Sequence, residues 1–441
     1  MIPTEHFVGD FRRFASRAAN RVPAWVADVR SRAISSFSAA GFPTTREEDW
    51  KYTNVAPVLG VPFRAAFDLE QPPVDASASN ALLGEAAACR LLFVNGSFAP
   101  QGSMLGTLPD GVRVESLGSA LRESGGVAER HLARYASFDG NGFTALSTAF
   151  LDDGALVTLA DGVELDRPVE LVFVSTARQG EVVAHPRVLV VCGRGCRASL
   201  VESHGSLDGG ATLTNVVAEI VLGGAARLEH VRVVREGGRG SHVATTEVVQ
   251  QRDSRYVSSA FTLGASFVRH NLNVRLAGEG AECSLDGLYL VAGGELVDNH
   301  TSIEHAVPHG TSRELYKGVL AGEAKAVFNG KVIVRPDAQK SDAQQTNKNL
   351  LLARSAEVDT KPELQIFADD VKCAHGAAIG QLDPNALFYL KSRGIDEAAG
   401  RRLLTRGFAY EIVQRVRDET VRSALEPLLA ERLQHELGEQ R

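Results

Sequence analysis

Asn271-Leu272-Asn273-Val274-Arg275-Leu276 alternates polar and apolar residues without a break. In an extended chain successive side chains point to opposite faces, so Leu272, Val274 and Leu276 share one side and the polar residues the other. The segment reads as a half-buried strand. The same texture spreads outward in both directions. Arg90 to Val94, Val169 to Ser175, Arg187 to Val191, Thr212 to Val221, Arg227 to Val234 and Lys331 to Val334 are short β runs separated by glycine-bearing turns. One stretch, Val112 to Ala136, reads as helical, and between Leu156 and Gly380 there is no amphipathic pattern of three helical turns. Residues 89–380 are therefore expected to be all-β. So many short strands must dispose of their edges in a sandwich, barrel, propeller or solenoid. Irregular spacing disfavours a propeller, and no strict repeat of roughly 20 to 50 residues is present. A β-helix and a jelly roll both fit, and the pattern does not separate them.

The flanks are helical. From Thr4 to Ala40 apolar residues including Phe7, Phe11, Phe14, Trp25, Val29, Ile34 and Phe37 recur at three and four. Gly41-Phe42-Pro43 ends that piece, and Thr44 followed by Glu47-Glu48 has the spacing of a helix cap with an acidic first turn. Gln71 to Asn80 reads as a loop. After Gly380, Asp383-Pro384 and Asp396 are capping signals, and stripes through Leu403, Phe408, Ile412 and Val416, then Val421, Leu425 and Leu429, follow the helical period. The expected organisation is a helical N-terminal domain over 1–88, a β core over 89–380 and a helical C-terminal domain over 381–441. A domain as small as the last owns little core. Its stripe through Leu403, Phe408, Ile412 and Val416 is a candidate docking and packing face.

The composition excludes several classes. A chain of 441 residues with 44% hydrophobic and 23% charged residues has the make-up of a globular protein, and a net charge of −7 provides no basic field for nucleic acid. Cys89, Cys192, Cys196, Cys283 and Cys373 are too few and too scattered for a secreted disulfide framework. No apolar run approaches the roughly 18 residues that span a bilayer. A cytoplasmic protein with reduced thiols, away from membranes, is expected.

Familiar catalytic motifs are missing or out of context. Gly193-Arg194-Gly195-Cys196-Arg197-Ala198 matches a dinucleotide fingerprint, but Ala198 to Glu202 reads as a strand where that fingerprint needs a helix. Neither a phosphate loop of the form GxxxxGK[ST] nor a GxSxG elbow occurs. Asn95-Gly96 is a hairpin turn, and Cys192 and Cys196 read as small buried hydrophobes. His300, His305 and His309 lie close in sequence but do not converge on one side of an extended chain. The most pointed group is Lys372-Cys373-Ala374-His375. Two residues apart on a strand, thiol and imidazole project from one face, and Lys372 favours the thiolate. They would form half of a soft-metal site, its other ligands coming from a second subunit. The plain alternative is a buried cysteine beside a surface histidine.

Taken in order, Phe42-Pro43-Thr44-Thr45-Arg46-Glu47-Glu48-Asp49-Trp50-Lys51-Tyr52-Thr53, Val297-Asp298-Asn299-His300-Thr301, Glu314-Leu315-Tyr316-Lys317-Gly318, Gln344-Gln345-Thr346-Asn347-Lys348-Asn349, the Cys373 segment and Phe388-Tyr389-Leu390 resemble the SufB/SufD family of SUF iron-sulfur cluster assembly proteins, on its SufD branch. The resemblance spans nearly the whole chain. It implies a right-handed parallel β-helix core between helical domains, and a non-catalytic scaffold subunit. The implied partners are a SufB-like sister and a SufC-like ATPase, the latter held by the C-terminal helices, with a homodimer open to the isolated chain. It implies that Cys373 and His375 serve a transient iron or iron-sulfur cluster at the sister interface, with no cofactor resident in the isolated chain. Where the sister carries a cysteine, this chain has Asn347, and where the sister has His-Glu-Ala-Thr it has His375-Gly376-Ala377-Ala378. Without a thiol at Asn347 the chain is not the main sulfur acceptor. Two rival expectations stand beside this one: an adaptor that ligates nothing, and a β-helix enzyme acting on polysaccharides. The latter needs clustered carboxylates, and the acidic residues here are dispersed.

Overall fold

A computed structural model describes residues 4–18, 22–70, 74, 81–122 and 126–435. Apart from Val74, the expected loop from Gln71 to Asn80 lies outside the described residues. Helices α1 (Thr4–Ala18) and α2 (Ala24–Ala40) open the chain, and Gly41 closes α2 at φ 68°. Half of the expected cap forms: Glu47 Oε1 accepts from the Thr44 amide at 2.9 Å, whereas Thr44 Oγ1 accepts from the Arg46 amide at 3.3 Å. Only a single 3₁₀ turn, Glu48–Trp50, follows them. The short β1 (Arg64–Ala65) comes next, then the hairpin of β2 (Cys89–Val94) and β3 (Ser97–Phe98). Its turn residues Asn95 and Gly96 take φ of 47° and 81°, which this tight turn requires.

The expected helix from Val112 is corrected at its start. Val112–Ser116 is a strand, β4, antiparallel to β5 (Gly154–Leu159). Val112, Val114 and Ser116 are buried in alternation, a period of two that the helical reading overlooked. The helices α3 (Leu117–Arg122), α4 (Gly126–His131) and α5 (Gly142–Ala149) follow.

The remaining strands are β6 (Val169–Ser175), β7 (Val182–Ala184), β8 (Arg187–Cys192), β9 (Arg197–Ser206), β10 (Thr212–Leu222), β11 (Arg227–Arg235), β12 (Gly240–Gln250), β13 (Arg255–Thr262), β14 (Phe267–Leu276), β15 (Glu282–Val291), β16 (Leu296–His305), β17 (Thr311–Leu320), β18 (Lys325–Val334), β19 (Asp342–Leu351), β20 (Glu357–Ile366) and β21 (Lys372–Gly380). From β8 onward, even-numbered strands join one sheet and odd-numbered strands the other, every pairing parallel. The core is thus a two-sheet parallel β-solenoid, which decides between β-helix and jelly roll. A period does exist in it, but an elastic one. Ser241 pairs with Phe267, 26 residues on, and Lys325 with Glu357, 32 on.

Parallel in-register pairing keeps paired residues on one face, so inward positions stack coil upon coil. The inner stack includes Leu200, Leu228, Tyr256, Leu285, Tyr316 and Phe328. Outward residues of the odd sheet, such as Val231, Val233, Phe261 and Leu288, are covered by α7 (Glu397–Val413) and α8 (Glu419–His435), which follow α6 (Pro384–Ser392). Outward residues of the even sheet, Leu213, Val243 and Phe267, are covered by α1, α2 and α5. Asp383 and Asp396 cap α6 and α7 as expected, accepting from the Asn385 and Ala399 amides at 2.8 Å each.

The stripe on α7 divides. Ile412 and Val416 are buried at 0% and 2% exposure against the odd sheet, so as docking residues they are corrected: they hold the helix to its own solenoid. Phe408 is half-buried under the Lys317 ammonium, 4.1 Å from its ring centre. Leu403 alone of the four is exposed, at 51%. Lys317 also pairs with Glu411, and Arg415 with Asp286 at 2.6 Å, fixing α7 from its polar side.

Candidate functional site at the open end of the solenoid

The two ends of the solenoid differ. At the first, the antiparallel strands β3 and β4 terminate the two sheets, and α3 packs on β4, β5 and β8. At the other, β20 and β21 each end their sheet with one unpaired edge. Unpaired parallel edges invite strand or partner docking, and proteins usually cover them.

Register places the candidate residues on this last coil. Cys373 pairs with Ala343 and His375 with Gln345, both inward positions, so thiol and imidazole share the inward face of β21. No further coil lies above them. Cys373 is half-buried against the cluster of Val332, Val334, Ala343 and Ala368, whereas His375 is exposed. Ile366, Phe367 and Ile379, on the same terminal strands and the turn between them, are 41%, 58% and 48% exposed. Large apolar side chains left uncovered around a polar centre are the mark of an interaction surface.

The electrostatics correct one expectation. Burial pushes the Cys373 thiol upward, Asp342 adds to the shift, and a hydrogen bond involving Ala343 only partly opposes it. Lys372 does not make it a thiolate; its side chain points to the other face of the strand, one residue out of phase. Among the described residues no third ligand approaches Cys373 and His375 closely enough to complete a metal site.

Beneath this coil the interior is polar. Asn347 is fully buried, its Nδ2 donating to Tyr289 Oη at 3.0 Å and to the Tyr316 carbonyl at 3.2 Å. Gln345, directly under His375, donates to Glu314 at 2.6 Å. Burial raises the Glu314 carboxyl to about 7.

The sequence words that carried the resemblance meet here in space. Thr53 Oγ1 donates to Asp298 at 2.5 Å, Arg269 binds Asp298 at 2.5 Å and the Asp49 carbonyl at 2.8 Å, and the Arg269 guanidinium lies 4.3 Å over the Trp50 ring. Glu48 reaches Lys361 on β20 at 2.6 Å. The segment around Trp50 therefore straps the last coils. His300 Nε2 lies 3.0 Å from the Asp298 carboxylate and His305 Nε2 hydrogen-bonds Ser312 at 2.9 Å, so both histidines have partners within the fold.

A parallel β-solenoid clasped by helices, ending in short antiparallel strands on one side and in long parallel strands bearing a Cys-His pair on the other, defines a scaffold class. The chain matches the model of the SufBD protein N-terminal region over residues 2–171 and that of the SUF system FeS cluster assembly SufBD core domain over residues 173–408. It is 36% identical over 401 residues to an iron-sulfur cluster assembly SufBD family protein of Synechocystis, covering 88% of this chain and 86% of the relative. It is 30% identical to the iron-sulfur cluster assembly protein SufD of Escherichia coli over 395 residues, 89% and 90% of the two chains. With SufD of Bacillus subtilis it shares 26% over 416 residues, 91% and 93% of the two. The chain belongs to the SufB/SufD family of the SUF iron-sulfur cluster assembly system. It is a non-catalytic assembly protein.

Proposed function

We propose that this chain is the SufD-type scaffold subunit, that it joins a SufB-like sister through its open end, and that a SufC-like ATPase is held by its C-terminal helices. The observation that carries this reading is the asymmetry of the solenoid. The end that finishes in the long parallel strands β20 and β21 presents Cys373 and His375 inward among the exposed Ile366, Phe367 and Ile379. There the pair contributes to binding iron or a nascent cluster as cargo, the sister supplying the remaining ligands. A neutral imidazole is a competent iron ligand. The cysteine must lose its proton on binding, which a metal ion promotes.

On the helical side, Phe388, Tyr389 and Leu403 are 74%, 57% and 51% exposed, and Leu403 borders a cleft of about 410 Å³ between α7 and α8. This is the surface we assign to the ATPase. Closure of two ATPase subunits would pull on α6 and α7, and the contacts of Lys317 and Arg415 would pass that movement to the odd sheet. Such work belongs in the cytoplasm, where the five cysteines, none in a disulfide, stay reduced.

The test is anaerobic cluster reconstitution on the complex with SufB and SufC, with native chain or His375→Ala, while gel filtration follows assembly. Loss of cluster from an intact complex is expected. Normal cluster yield would instead leave the chain an adaptor that ligates nothing.

A further inference from the structure

Inside the solenoid, three side chains with metal-ligating chemistry converge on one point. His204 projects from β9, Glu236 from the residue that follows β11, and His242 from β12, and they are 2%, 1% and 0% exposed. Each offers a ligand atom within 4.8 Å of the other two. His204 Nδ1, His242 Nε2 and Glu236 Oε2 are buried without a hydrogen-bond partner. Leaving such atoms unsatisfied costs about 1–3 kcal/mol each.

The His204 ring is oriented from behind. His204 Nε2 meets Glu202 Oε1 at 2.7 Å, and its ring stacks on Phe173 with centroids 4.9 Å apart. His242 Nδ1 meets Glu236 Oε1 at 3.0 Å, so an ion held by both would take the place of that hydrogen bond. On His204 the Glu202 carboxylate at Nε2 fixes the tautomer and leaves the Nδ1 lone pair for an ion, the arrangement behind metal-binding imidazoles. The charges also leave an opening. Glu202 has Arg232 at 3.0 Å, whereas among the described residues no Lys or Arg nitrogen lies within 4 Å of Glu236. A buried carboxylate in that position calls for a cation. The site lies beside a surface turn, since residues 237–239 next to Glu236 are exposed.

We propose that His204, His242 and Glu236 bind one divalent first-row transition-metal ion of zinc-like preference inside the solenoid. Two imidazoles and a carboxylate are a known donor set for such ions, with bonds of about 2.0–2.2 Å and a fourth position free for water. The site goes beyond the cargo role argued above and does not rest on it. In the odd sheet β9 lies six strands from β21, roughly 29 Å at about 4.8 Å per strand. The ion would tie β9 to the adjacent coil, through Glu236 and His242 at the β11–β12 turn, and would give the isolated chain a resident group where none is expected.

The probe is Zn²⁺. The full chain, stripped with chelator, is incubated with Zn²⁺, desalted and assayed for metal content, melting temperature and zinc-edge X-ray absorption. About one zinc per chain, a raised melting temperature, and nitrogen and oxygen ligation without sulfur are expected. His204→Gln and His242→Gln should each weaken zinc binding roughly 10- to 100-fold, while the Cys373→Ala, His375→Ala double variant binds as well as the native chain. Three results would overturn the proposal: no zinc kept by the native chain, sulfur in its absorption spectrum, or zinc lost only from the double variant. The absorption measurement uses the unsubstituted chain, so a variant that misfolds leaves the test standing.

Discussion

Glu314 shows how far an inward position shifts a side chain from its chemistry in water. Burial raises its pKa from 4.5 to about 7, so the folded chain keeps a proton that the unfolded chain releases. Between those values the unfolded state binds fewer protons, and stability falls as pH rises, on the order of 3 kcal/mol before levelling near pH 7. Glu314→Gln should flatten that slope in urea denaturation curves recorded from pH 5 to pH 8. Asp298 behaves oppositely. Burial works against its charge, but Arg269 and His300 prevail and hold it at about 2. Its contribution is complete above about pH 4 and is lost as pH falls through about 2. Asp298→Ala leaves Arg269 buried without its carboxylate, and should cost about 3–5 kcal/mol at pH 7. Trp50 fluorescence would report it, the Arg269 guanidinium lying over that ring. At this scale the sequence was half legible. The alternation Cys373-Ala374-His375 shows a shared face without any structure, but thiol acidity depends on the Val332, Val334 and Ala343 side chains packed beneath it. His204, Glu236 and His242 escaped notice because His204, on β9, meets the other two only through the pairing of β9 with β11.

Elements were legible where the period was unambiguous. Asn271 to Leu276 is a strand with Leu272, Val274 and Leu276 buried, as alternation requires. Ambiguity arose where five residues fit either period, at Val112–Ser116. The stripe on α7 exposes another limit, since periodicity reports that a face is apolar and not what covers it. Ile412→Ala should destabilise the chain by about 2–5 kcal/mol in chemical denaturation, because the sheet beneath cannot close the cavity fully. Leu403→Asp, on the exposed side of the same helix, should change stability by no more than about 0.5 kcal/mol. It should nevertheless weaken capture of the ATPase in a pull-down of purified subunits.

For the whole molecule, the solenoid was obscured by its elastic coil length, since loops that vary between coils erase a fixed repeat while the backbone register persists. The resemblance named it where pattern left two folds open. What the sequence could not convey is polarity: that one end finishes in the short antiparallel strands β3 and β4 beside α3, and the other in the long parallel strands β20 and β21. The central claim is that the β20–β21 end is the docking face. Hydrogen exchange of Lys372–Gly380, measured on the chain alone and in complex with a SufB-like sister, tests it most directly. The account predicts strong protection of these amides in the complex, with β3 and β4 unchanged. Unaltered exchange in Lys372–Gly380, with protection elsewhere, would contradict it.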